Sequence, residues 1–303
     1  MSASGVELAV GVWAPPRRSR VAARALRTVW ANRKARAGLV ILLVLVALAV
    51  FAPLIAPYSP TFTGFGRSLS PSGAHWLGTT GSGQDVLSRL LYGARVSLLV
   101  AFAAGILATL VAIAVGLFAG YLSGFAEETI NFVVNLFLVI PALPLMVVIA
   151  TYSPGRGVGL IVLVVAITGW AFGARVLRAQ TSTLRRRDFV EAARFSGERI
   201  HRIVFREILP NMLSLVAASF LAAANAAVLG EAGLEFIGLG NPNTISWGTM
   251  LFWAQNDNVL LVGQWQQILA PGLAIALLAA SLSLINFGID ALSNPRLREG
   301  VSR

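Results

Sequence analysis

A loop that cradles nucleotide phosphates needs glycines ahead of a lysine. This chain has a single lysine, Lys34, and no glycine run precedes it, so that mode of ATP binding is excluded for the chain itself. There are no cysteines, which removes disulfides, thiolate chemistry and cysteine–metal sites. His75 and His201 are far apart in sequence and make no histidine metal cluster. No Ser/His/Asp or paired-carboxylate spacing marks a nucleophile or an acid–base pair, and the serines near Ser82 read as turn chemistry. The polar residues that do stand in a pattern lie in residues 185–211, RRRDFVEAARFSGERIHRIVFREILPN. Asp188 and Glu191, three apart, read as a capping box opening a short helix. Phe189, Ala192, Ala193 and Phe195 give that helix an apolar side with small residues that allow close approach. Gly197 is placed to take a positive φ and turn the chain into a second helix. There Ile200, Ile203, Val204 and Ile208 recur at helical spacing. Pro210 fits the first turn of the next helix, where its missing N–H costs nothing. One carboxylate, Glu191, on a small-residue face suits docking to another protein better than chemistry.

These residues carry a resemblance. Glu191-Ala192-Ala193, three residues, Gly197, then Leu209-Pro210 resemble the EAA signature of ABC-importer permeases, with Glu207 where the family's isoleucine usually stands. The resemblance implies an all-α membrane fold of the type I importer class, with about six transmembrane helices. It also implies that Asp188, Phe189, Glu191, Ala192, Ala193, Phe195, Gly197, Leu209 and Pro210 form a cytoplasmic coupling helix seated in a groove of an ATPase subunit. Further along, His75 to Leu98 resembles a segment of the dipeptide/oligopeptide branch, with Thr80 in place of an aspartate and Gln84 in place of an arginine. Glu231 to Gly240 and Ser246 to Gly248 resemble that branch's Glu-Ala-Gly-Leu-x-Phe-x-Gly-Leu-Gly and Ser-Trp-Gly.

Composition sets the elements that must position this segment. Hydrophobic residues make up 56% of the chain, charged residues 12%, and mean hydropathy is +0.76. A soluble domain carries roughly 25% charged residues, so the chain reads as an integral membrane protein. A net charge of +11 raises nucleic acid as a partner. The arginines instead flank apolar runs, which is the positive-inside pattern, and no nucleic-acid partner is expected.

Along the chain, residues 1–36 read as a basic cytoplasmic tail and residues 37–57 as the first transmembrane helix. Residues 58–92 read as an extracytoplasmic connection leading into a helix capped by Ser82 or Asp85. Residues 93–289 form the permease core of five further spans, expected at 94–121, 129–151, 158–174, 211–230 and 265–289, with the coupling loop at 181–210. Residues 290–303 form a cytoplasmic tail. Small residues such as Gly105, Gly116 and Gly120 suit tight helix packing in the second span. The third is broken by Pro141 and Pro144. Arginine placement puts both termini and the 175–209 loop on the cytoplasmic side, and the resemblance implies a bacterial plasma membrane.

Asn131, Asn135, Asn225 and Asn286 lie in or at the ends of apolar spans, and two readings stand: interhelical hydrogen bonds or contact with substrate in the translocation path. Glu231, Glu235 and Trp247 are candidates for docking a binding protein, beside the plainer reading of solvated surface and an interfacial tryptophan. By the resemblance, the chain is the permease of a dipeptide or oligopeptide importer. It would pair with a second, homologous permease, with ATPase subunits that hold ATP and Mg, and with an extracytoplasmic substrate-binding protein. Nickel chelates and glutathione are alternative cargoes. An ion-coupled transporter needs intramembrane Asp, Glu or His, which the expected span interiors lack. A scaffold without transport is the remaining rival class.

Overall fold

The computed structural model describes the backbone of residues 32–293 and the side chains of residues 32–289. Residues 1–31 of the expected basic tail lie outside the described residues, as does most of the expected tail at 290–303. Among the described residues the secondary structure is helical, apart from an isolated bridge between Thr79 and Asp85.

Helix α1 is Arg33–Val50, capped by the Asn32 side chain and prolonged by the single turn Ala52–Ile55. It is followed by α2 (Val86–Tyr121), α3 (Phe125–Val139), α4 (Ala142–Tyr152) and α5 (Val158–Leu184). A short helix α6 (Asp188–Phe195) leads through irregular turns to α7 (Leu213–Phe236), then α8 (Trp247–Asn256) and α9 (Gln266–Ser293).

Among the described residues four helical runs are long and apolar enough to cross a membrane: Val86–Tyr121, Val158–Leu184, Ile200–Phe236 and Gln266–Ile289. The pair α3 and α4 makes a fifth if it is one span, bent by 93°. The bend falls at Ile140 and Pro141, where the proline denies the helix a donor. Pro144 sits in the first turn of α4 and breaks nothing. The remaining expected span is α1, whose 18 residues include Arg33, Lys34 and Arg36 and so keep a shorter uncharged stretch. Two expected spans end too early. α5 runs ten residues past 174, to Leu184, and α7 runs on to Phe236, because neither stretch meets a helix breaker where its apolar run stops.

α2 is the centre of the bundle, packed along α5 and α7, while α9 packs along α1 and α7. The approach of α2 to α5 depends on absent side chains. A Cβ at Gly116 would lie 2.6 Å from the Ala174 carbonyl oxygen, and one at Gly120 would lie 2.6 Å from that of Arg178. Small residues are how membrane helices gain packing contact when lipid offers no hydrophobic drive. Large apolar side chains such as Leu43, Leu99, Leu110 and Phe172 stay exposed on the outside of the bundle, as expected for faces that meet lipid or another subunit.

The connection ahead of α2 is folded. Asp85 caps α2, its Oδ2 accepting from the Ser88 backbone N–H at 2.8 Å and from Ser88 Oγ at 2.7 Å. Its Oδ1 lies 2.9 Å from His75 Nδ1, and both side chains are buried. Gln264 Nε2 donates to the Ser68 carbonyl at 3.0 Å and Gln267 Nε2 to that of Thr79 at 3.0 Å, tying the connection to the start of α9.

Candidate functional site

Helix α6 begins one residue earlier than a capping box allows. Its N-cap is Arg187, in extended conformation and with no side-chain cap bond, so Asp188 is the first helical residue. The expected box between Asp188 and Glu191 is therefore not formed. Both carboxylates stand in the first turn, where the macrodipole favours them. The end of α6 follows the sequence reading. Gly197 has φ +74°, its N–H donates to the Arg194 carbonyl at 3.0 Å, and the Glu198 N–H donates to that of Ala193 at 3.1 Å. This is the Schellman arrangement, which needs a left-handed residue at that position.

α6 is anchored by Val190, wholly buried against a cluster that includes Ile203, Val204, Ile208 and Tyr121. Ala193, one turn on, packs against the same cluster. Phe189, Glu191, Ala192 and Phe195 are turned outward, and Phe195 is 90% exposed. The apolar side expected from the sequence is thus two faces, Val190 and Ala193 inward and the phenylalanines outward. The second half of the segment is less regular than a single helix. A turn at Ile200–Arg202 passes into a π turn at Ile203–Ile208 and a 3₁₀ turn at Leu209–Met212 that contains Pro210. A proline clashes with the carbonyl four residues back in a regular helix, and the wider π turn just before it supplies the room. Asn211 Nδ2 donates to the Glu207 carbonyl at 2.6 Å.

Arginines brace α5 against its neighbours and α6 against the end of α2. Arg178 Nη2 pairs with Glu127 Oε1 at 2.8 Å, Arg185 Nη1 donates to the Leu122 carbonyl at 2.9 Å, and the Arg194 guanidinium lies over the Tyr121 ring at 5.7 Å. Beside α6 opens a cavity of about 610 Å3 with Arg199, His201, Arg202 and Arg206 among its lining. The result is a rigidly held helix with an outward aromatic and acidic face and a basic flank.

The four asparagines form two pairs. Asn131 (half-buried) and Asn135 (exposed) lie on α3. Asn225 and Asn286 share a cavity of about 290 Å3 between α7 and α9, where Asn225 Nδ2 donates to Ser283 Oγ at 3.2 Å. The side-chain oxygens of Asn225 and Asn286 are buried without a hydrogen-bond partner.

Glu231, Glu235 and Trp247 are not on the surface, and their sequence reading as docking or solvated residues is corrected here. They are 0%, 1% and 1% exposed. Because α7 continues through both glutamates, they reach across to α2 and α8. Ser97 Oγ donates to Glu231 Oε1 at 3.1 Å, and Ser246 Oγ donates to Glu235 Oε2. The Trp247 backbone N–H donates to Ser97 Oγ at 3.2 Å and its indole N–H to the Leu90 carbonyl at 3.0 Å. These residues stitch three helices together. Their partner Ser97 lies more than a hundred residues away, a pairing that no local spacing signals. Among the described residues no group of three or more His, Cys, Asp or Glu is placed to hold a metal ion.

A model of the family described as binding-protein-dependent transport system inner membrane component matches residues 112–299, the stretch that contains α5, α6, α7 and α9. The chain belongs to that family. A second model, the N-terminal TM domain of oligopeptide transport permease C, matches residues 22–71. The dipeptide transport system permease protein DppC of Bacillus subtilis is 32% identical over 278 residues, covering 90% of this chain and 85% of its own. The oligopeptide transport system permease protein OppC of Mycobacterium bovis is 34% identical over 291 residues, covering 94% of this chain and 98% of its own. A chain of the inward-facing methionine ABC transporter MetNI is similar at a TM-score of 0.48 and 18% identity, over 64% of this chain and 96% of that one. This permease is thus a multi-pass membrane protein and a transport subunit.

Proposed function

We propose that the permease forms half of the translocation pathway of an ATP-driven importer of dipeptides or oligopeptides, the cargo named for its relatives. α6 is its coupling helix, received by a separate ATPase subunit that binds ATP and Mg. A second, homologous permease completes the pathway, and a binding protein delivers substrate on the outer side. Both termini and α6 face the cytoplasm, which the concentration of arginine around α6 supports.

The observation that carries this reading is the outward face of α6. Val190 fixes the helix from beneath, and Phe189, Glu191 and Phe195 are left without cover on a segment that matches the EAA signature. Exposed aromatics on a rigid element mark an interface. In operation, closure of the ATPases would drive α6, its packing through Val190 and its Arg194–Tyr121 contact would pass the motion to α2, and the Arg185 and Arg178 ties join α2, α3 and α5 at that end. Glu231, Glu235 and Trp247 would hold the opposite end of the bundle together while this happens. Asn225 and Asn286, with buried oxygens still to be satisfied, are the polar groups offered to the pathway or to the second permease.

The test is peptide uptake together with ATPase activity of the co-purified complex. The chain alone should hydrolyse no ATP, and hydrolysis by the complex should rise with a peptide-loaded binding protein. Hydrolysis intrinsic to the isolated chain would overturn the reading.

A further inference from the structure

A third cavity, of about 360 Å3, lies between the folded connection ahead of α2 and the end of α8. Thr63, Thr80, Gln84, Arg89, Trp253 and Asp257 are among its lining residues. Arg89 is 7% exposed, yet among the described residues it forms no salt bridge. Among the described residues its side-chain hydrogen bond is from Nη1 to the neutral Gln84 Oε1. A buried charge is ordinarily paired, since burial without a counter-charge is costly. Asp257 lines the same cavity and forms no salt bridge with Arg89. The cavity therefore presents one cation and one anion that do not consume each other. Thr63, Thr80 and Trp253 complete the wall, and the Trp253 N–H is held by the Pro242 carbonyl at 3.0 Å. The volume falls in the range of small-ligand sites, roughly 300–1,000 Å3.

Resting on the import function above, we propose that this cavity binds a small zwitterion, with its carboxylate on Arg89 and its ammonium toward Asp257. A guanidinium matches a carboxylate with two parallel N–H donors, a charge-assisted contact that a neutral amide does not replace. Thr80 and Gln84, the two positions where the chain departs from the related motif, both line this cavity. A carboxylate at position 80 would put a second negative charge on the lining of this cavity, and here the position holds threonine. The ligand chemistry has two sources, a free α-amino acid or a short peptide with both termini charged.

The experiment uses the full chain with its co-purified partners in nanodiscs, without the soluble binding protein, and measures equilibrium binding of radiolabelled alanine, trialanine and N-acetyl-trialanine amide. Saturable binding of alanine or trialanine is expected, and whichever binds names the source. The capped peptide should bind roughly tenfold or more weakly. Arg89→Gln should abolish binding and Arg89→Lys should retain only part of it, since an ammonium lacks the fork. Thr80→Asp leaves Arg89 in place but puts that second negative charge on the cavity lining, so it too should lose binding, and it decides the matter if Arg89→Gln fails to reach the membrane. Equal binding of capped and uncapped peptides, unchanged affinity in Thr80→Asp, or no saturable binding of either zwitterion overturns the proposal. Uptake measured in parallel separates the two claims. Zwitterion binding without any peptide uptake overturns the transport function alone, and uptake without binding overturns this site alone.

Discussion

At Gly197 the backbone sits at φ +74°, and a Cβ added there would meet no atom within 4 Å. Any harm from a substitution is therefore backbone strain and not a clash. For a β-branched residue that strain is on the order of 1–3 kcal/mol. Such a cost leaves the bundle folded but displaces Glu198 and the turn that orients α6. Gly197→Val should reach the membrane at near-normal levels and lose peptide uptake, whereas Gly197→Asn, whose side chain tolerates the left-handed region, should keep most of it. Uptake by Gly197→Val at wild-type rate would refute the hinge. On the outward face of α6, Phe195 is 90% exposed. Phe195→Ala should leave expression unchanged and lower ATPase co-purification several-fold, by roughly 1–2 kcal/mol if it is an interface anchor. Glu191→Ala should act in the same direction and more mildly.

Among the elements, α6 and the α2–α5 seam carry distinct loads. α6 is held chiefly by Val190, so Val190→Ala should loosen it at a cost of about 1–3 kcal/mol. The expected readout is faster proteolysis within residues 185–199 in membranes, with the apolar helices still protected. The seam behaves differently, because a side chain at Gly116 or Gly120 meets backbone oxygens of α5 at 2.6 Å. Overpacking there costs about 1–3 kcal/mol, and a leucine at either position should reduce the amount of folded protein before any specific defect in uptake. Cell-surface or membrane immunoblots, with uptake normalised to the protein present, distinguish the two outcomes. The Glu231–Ser97 and Glu235–Ser246 bonds belong to the same scale, fastening α7 to its neighbours at the other end of the bundle.

For the whole molecule, orientation is the property on which the proposed function depends. The chain has no cysteine, so single cysteines are clean reporters. Ser72, exposed in the connection ahead of α2, and Ser196, exposed beside Gly197, should label oppositely in intact cells treated with an impermeant thiol reagent. Ser72→Cys should react and Ser196→Cys should react only after the membrane is opened. The reverse pattern would place α6 outside, away from ATP, and end the coupling proposal.

Composition and the order of apolar and arginine-rich stretches determined by themselves that this is a helical membrane protein with a polar, arginine-rich segment between two long helices. Both are properties of residue type along the chain, and lipid imposes them on any sequence of this kind. The left-handed turn at Gly197 was legible for the same reason, since the need for glycine there is local. The direction each α6 residue faces was not, because Val190 is buried only through Ile203, Val204 and Ile208 folding back onto it. The capping box failed on a one-residue shift of the helix start, which the extended Arg187 decides. Glu231, Glu235 and Trp247 were misread as surface because carboxylates ordinarily stay in water. Only the tertiary approach of Ser97 and Ser246 gives them buried partners. Arg89 and Asp257 come to line one cavity only when residues 61–89 fold against residues 242–257, and spacing along the chain carries no trace of that juxtaposition.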